Sequence, residues 1–155
     1  MRITLSLLVI LIVVAVACDK DKFQTKPTIS IKSMTGDYIP LNASLRITLE
    51  CTDKEGDVQD SIIIIKQRLN KRVVQTLRDT IRIKFPVFPV KPKTEIVLTL
   101  DYQNHLISAS NPPFIPGSNP PQKEVDTLVL RLAVKDNAGN VSDTITSPQI
   151  QVFRQ

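Results

Sequence analysis

The 155-residue chain has no tryptophan, two tyrosines, five phenylalanines and a single histidine, His105. A core built from it is aliphatic, and chemistry that runs through paired imidazoles is excluded. Its two cysteines, Cys18 and Cys51, are too few for a multi-bridge disulfide scaffold. No G-x-S-x-G, no H-E-x-x-H and no phosphate-binding loop is present. The sequence nominates no catalytic residue and no cofactor, so a non-enzyme is expected. It also lacks an apolar run of membrane-spanning length: Ile3 to Ala17 is 15 residues, whereas a spanning helix takes roughly 20.

What the N-terminus does have is one cation, Arg2, followed by an unbroken apolar segment from Leu7 to Ala17 that ends in the small residues Ala15-Val16-Ala17. That is the layout of a secretory signal cut before Cys18. Two outcomes are open at that cut, a plain secreted protein with a free N-terminal cysteine or a lipidated one. Ala15-Val16-Ala17-Cys18 resembles the lipobox of bacterial lipoproteins. The resemblance implies a diacylglyceryl thioether and an N-acyl chain, such as palmitate, on Cys18, and several chains together anchor a protein stably where one does not. Asp19-Lys20-Asp21-Lys22-Phe23 is similar to the charged tract behind the lipidated cysteine of many Bacteroidota lipoproteins. That likeness implies the outer membrane, with export toward the cell surface; the other reading is a solvated, extended tether. The expected organisation is a signal peptide over 1–17, a lipidated tether over 18–27 and one domain over 28–155.

The mature chain alternates with period two. Ile29 and Ile31 oppose Ser30 and Lys32, and Leu45, Ile47, Leu49 and Cys51 alternate with Arg46, Thr48 and Glu50. This phase makes Cys51 a small buried hydrophobe. Ser61 to Leu69 reads as a strand whose four isoleucines, Ile62 to Ile65, predict burial on both faces, with Asp60 and Lys66 as flanking gatekeepers. Val73 to Leu77 is a candidate edge strand. Ile81 to Phe85 and Thr94 to Tyr102 follow, separated by Pro86, Pro89 and Pro92. Ser108 to Gln122 carries five prolines and predicts no regular structure. Leu128 to Val134 is a strong strand, and Val141 to Phe153 an edge strand interrupted at Pro148.

Seven or eight short strands without a helical period predict an all-β, antiparallel sandwich. The turn Asp136-Asn137-Ala138-Gly139-Asn140 resembles the D-x-x-G-N turn near the end of bacterial immunoglobulin-like and fibronectin III-like domains. The acidic turn Asp53-Lys54-Glu55-Gly56-Asp57 before Asp60-Ser61 is similar to the turn before strand C in such domains. An immunoglobulin-like β-sandwich is thereby implied.

Asp53, Glu55, Asp57 and Asp60 place four carboxylates in one turn. They are turn caps on one reading and Ca²⁺ ligands on the other, without the terminal glutamate of a full EF-hand loop. Nine Lys and Arg against one acid, Asp79, lie between Lys66 and Lys93. They are expected either to guard an edge strand or to attract an anionic glycan or an acidic envelope partner; nucleic acid is not expected outside the cytoplasm. Asp60-Ser61-Ile62, Asp79-Thr80-Ile81, Asp126-Thr127-Leu128 and Asp143-Thr144-Ile145 match a D-[S/T]-aliphatic pattern that resembles the O-glycosylation site of Bacteroidota secreted proteins. Two functions fit: a membrane-anchored envelope lipoprotein displaying one immunoglobulin-like binding or structural module, with Ser108 to Gln122 as its contact loop, or an accessory subunit docking through the basic 66–93 face.

Overall fold

The computed structural model describes residues 26–154. The signal, Cys18 and the tether up to residue 25 lie outside the described residues. Nine strands follow in order: β1 (Thr28–Met34), β2 (Tyr38–Ile39), β3 (Ser44–Thr52), β4 (Ser61–Arg68), β5 (Thr80–Lys84), β6 (Lys93–Asp101), β7 (Asp126–Lys135), β8 (Ile145–Thr146) and β9 (Ile150–Val152). One sheet has the order β1-β3-β6; the other has the order β2-β9-β7-β4-β5, with β8 added to β7. Neighbours are antiparallel except β2 and β9. With β1, β3 and β6 as strands A, B and E and β9, β7, β4 and β5 as G, F, C and C′, this is the order of an immunoglobulin-like sandwich.

The inward rows explain why these segments pair as they do. Leu45, Ile47, Leu49 and Cys51 of β3 face Ile62 and Ile64 of β4 and Leu128, Leu130, Leu132 and Val134 of β7 across one aliphatic core. Shifting β3 by one residue would turn this row out and bring Arg46, Thr48 and Glu50 in, so the register is fixed by burial. Outside, charges match across the same sheet: Lys93 lies 2.9 Å from Glu50, and Lys32 pairs with Glu95.

Some expectations change. The four isoleucines are not buried on both faces: Ile62 and Ile64 are fully enclosed, Ile63 is half-buried and Ile65 is 37% exposed, because only one face of the sheet meets its partner. Val73 to Leu77 forms no strand, only the single bridge Thr76–Ala109. Ser108 to Gln122 has no strand either, but Phe114–Lys123 bridging and bonds such as Glu124 N–H to Pro113 O fold it onto itself. A π-helical turn, Tyr102–Leu106, was not foreseen. Among the described residues no helix is long and apolar enough to cross a membrane.

The pairing registers define two ends. Thr28, Thr52, Ser61, Lys84, Lys93 and Lys135 lie together at one, next to the start of the domain at Lys26. Loops 69–79 and 102–125 and the C-terminal strand end lie at the other.

Candidate functional site

At the start end, two turns that are far apart in sequence meet. Asp53, Asp57 and Asp136 each bring a carboxylate oxygen within 4.8 Å of the others. Asp53, 2% exposed, accepts from the backbone N–H of Glu55 at 3.4 Å and of Asp57 at 3.3 Å. Asp136, fully enclosed, accepts from Asn140 through its backbone N–H at 2.7 Å and its side-chain amide at 2.9 Å. The turns are joined directly by the Asn137 N–H donating to Asp57 O at 3.1 Å. Desolvation raises the Asp53 carboxyl above the usual range, and its side-chain contact with Asp57 adds to this.

Gly56 holds the first turn in place. Its φ of +73° suits glycine, and a Cβ there would lie 2.9 Å from Lys91 C and from Val90 Cγ1. Of the four acids singled out in the sequence, Glu55 is exposed and Asp60 instead meets Ser61 Oγ at 2.9 Å. Asp136 is the member that sequence reasoning missed.

Turn capping accounts for Asp53 and Asp136 but leaves Asp57 Oδ1 buried without a hydrogen-bond donor among the described residues. The three carboxylates would supply part of the 6–8 oxygens Ca²⁺ takes. In chelator, Asp57→Asn is expected to raise stability by about 1 kcal/mol, since an amide removes like-charge repulsion and can donate to its neighbours. Urea denaturation measures this. If millimolar Ca²⁺ raises the wild-type melting temperature and the substitution abolishes the rise, the carboxylates hold an ion; without such a rise they are turn caps alone.

The far end carries a buried ionic cluster. Asp126, fully enclosed, binds Arg68 Nε through Oδ1 at 3.0 Å; its Oδ2 accepts from Arg154 Nη1 at 2.8 Å and from the Ser108 and Ala109 N–H groups at 2.9 and 3.1 Å. Arg68 also reaches Glu124 at 3.1 Å. Lys66, 4% exposed, donates to Ile107 O at 2.8 Å. It is therefore no gatekeeper, and neither Lys66 nor Arg68 contributes to an outer basic face. Arg72 ties the two long loops together through Phe114 O at 3.0 Å and Glu124 at 3.8 Å. Val73, Phe114 and Ile115 stand exposed around them.

Burial, reinforced by the nearby Arg78, lowers Lys66 to about 8 from its ordinary 10.5, while desolvation pushes the Cys51 thiol from 9.0 to about 12. Above pH 8 folded Lys66 releases a proton that the unfolded chain keeps, so stability rises with pH. Above pH 9 the unfolded Cys51 ionises first and opposes the rise. Stability is thus expected to climb from pH 8 to 9, by at most about 1.4 kcal/mol per unit, and to level off beyond. Lys66→Met removes the climb and Cys51→Ala prolongs it, as read by denaturation midpoints across pH.

His105 closes the π-helical turn, its Nδ1 2.7 Å from the Asp101 carboxylate, which caps the Asn104 N–H at 2.7 Å. The bond to the Asn104 N–H holds Asp101 below the usual carboxylate range. Of the D-[S/T] sites, Thr80 and Thr144 are exposed, Thr127 is half-buried and Ser61 is 1% exposed, which withdraws Ser61 from any modifying enzyme. The chain matches no protein-family model and no curated protein.

Proposed function

We propose that this chain is a lipoprotein of a bacterial cell envelope, anchored at Cys18 to the outer membrane and displaying one immunoglobulin-like binding module. The observation that carries the anchor is the position of Cys51. Its thiol is 1% exposed inside the core row of β3, so Cys18 has no cysteine to pair with in the fold. Lipidation is then the use that fits a cysteine directly behind Ala15-Val16-Ala17.

The direction of display follows from the two ends. The chain enters the domain at Lys26, eight positions beyond Cys18, which keeps the acidic turns near the lipid surface. Loops 69–79 and 102–125 then point away from it and form the contact surface. Exposed Val73, Phe114 and Ile115 beside Lys71 and Arg72 suit an envelope protein or an anionic glycan. These apolar residues favour a docking role over that of a passive spacer.

Phase separation in Triton X-114 of the protein expressed in a lipoprotein-processing bacterium tests the anchor. Wild type is expected in the detergent phase and Cys18→Ala in the aqueous phase. A wild-type protein that is exported and cut yet stays aqueous would overturn the reading.

A further inference from the structure

On the side away from β1 and β2, each sheet ends on a strand whose outer edge pairs with no other strand among the described residues, β5 in one and β6 in the other. The link between them, residues 85–92, forms no strand, and its prolines Pro86, Pro89 and Pro92 cannot donate to one. It leaves a groove of about 440 Å³ between the two edges, lined by Ile62, Ile83, Ile96, Leu98, Phe85 and Phe88. Lys84 and Lys91 also line it, as does Glu95, whose charge is paired with Lys32.

The nine cations of the basic segment sort themselves around this groove. Lys66 and Arg68 are buried in the ionic cluster, Arg72 pairs with Glu124, Lys93 with Glu50, and Arg78 binds Asn104. Among the described residues, the four whose side chains make no ion pair or hydrogen bond are Lys71, Arg82, Lys84 and Lys91, and three of these lie at the groove or next along β5.

The geometry points to a strand-accepting site: an extended segment of a partner protein, with acidic residues alternating with apolar ones, adds to the outer edge of β5. The pleat dictates this pattern. Ile81 and Ile83 face inward while Arg82 and Lys84 face outward, so a strand laid beside β5 puts one set of side chains into the groove and the other against the two cations. Main-chain pairing along the edge supplies affinity and the alternation supplies specificity. The same cations disfavour a second copy, whose β5 would bring Arg82 and Lys84 against their own kind. The site depends neither on the lipid anchor nor on the far loops, so it can fail or stand without them.

The probe is a fluorescein-labelled nine-residue peptide of alternating Glu and Val, titrated by anisotropy against detergent-solubilised mature protein. Two further peptides serve as comparisons: a Lys–Val counterpart, and a Glu–Val peptide N-methylated at alternate amides, which keeps the charge but cannot pair along an edge. The Glu–Val peptide is expected to bind, N-methylation to weaken it about tenfold or more, and the Lys–Val peptide not to bind. The exposed double substitution Arg82→Glu with Lys84→Glu is expected to exchange the two preferences, and peptide binding to slow hydrogen exchange of β5 amides. Absence of binding would overturn the site. So would binding that survives N-methylation or the double substitution, or protection of β5 by self-association of the protein alone.

Discussion

Asp126→Ala is expected to cost about 4 kcal/mol of folding stability, within the range of about 3–5 for breaking a buried ion pair. The substitution removes the single acceptor that two guanidiniums and two backbone N–H groups share. Arg68 and Arg154 have side chains only 6% and 10% exposed, so water cannot replace what they lose. Arg68 keeps Glu124 and the Arg72 carbonyl, while Arg154 keeps, among the described residues, only the Ala109 carbonyl, at 2.9 Å. The loss falls on residues 108–125, which contain no strand. Against a typical total of about 5–15 kcal/mol, most of the stability is at stake. Arg154→Ala should cost less, because Asp126 retains Arg68 and both N–H donors. Urea denaturation of the two variants gives the comparison; equal costs, or an Asp126→Ala cost below about 1 kcal/mol, would remove the cluster from its structural role.

Leu132→Ala is expected to cost about 3 kcal/mol, within the range of about 2–5 for emptying a buried leucine site. Leu132 is fully enclosed at the middle of β7, opposite Ile64 on one side and Ile145 on the other. Both sheets meet there, and neither can close over the space without leaving its register. Val97→Ala on β6, where the side chain is 57% exposed, should lie within about 0.5 kcal/mol of wild type. The denaturant slope should stay constant for both, since the surface exposed on unfolding is unchanged.

The strands legible in the sequence were those with one wet face. β3 and β7 alternate because Arg46, Thr48, Glu50 and Arg131 stand outside while leucines and isoleucines stand inside. Local turn chemistry was equally readable at Gly56 and around Asp136. What alternation could not show is which distant residue completes a charge. Lys66 and Arg68 read as surface cations because Asp126, which draws Arg68 inward, lies 58 residues away. Asp136 joined Asp53 and Asp57 for the same reason. A signal for it existed: both acidic turns resemble loops at one end of immunoglobulin-like domains, and placing them in that fold brings them together. The turn at Tyr102–Leu106 also had a marker, Asp101 three residues before Asn104, whose backbone N–H it accepts. The isoleucine run misled because hydrophobicity does not tell which face of a sheet is covered; Ile65 lies on the uncovered one.

The anchor is the claim on which the display of the domain depends, and the mass of the mature N-terminus tests it most directly. Digestion of the native protein with trypsin should release Cys18-Asp19-Lys20 carrying a diacylglyceryl thioether and an amide-linked acyl chain. Recovery of that peptide with an unmodified thiol and a free amino group, or of a chain still beginning at Met1, would contradict the account.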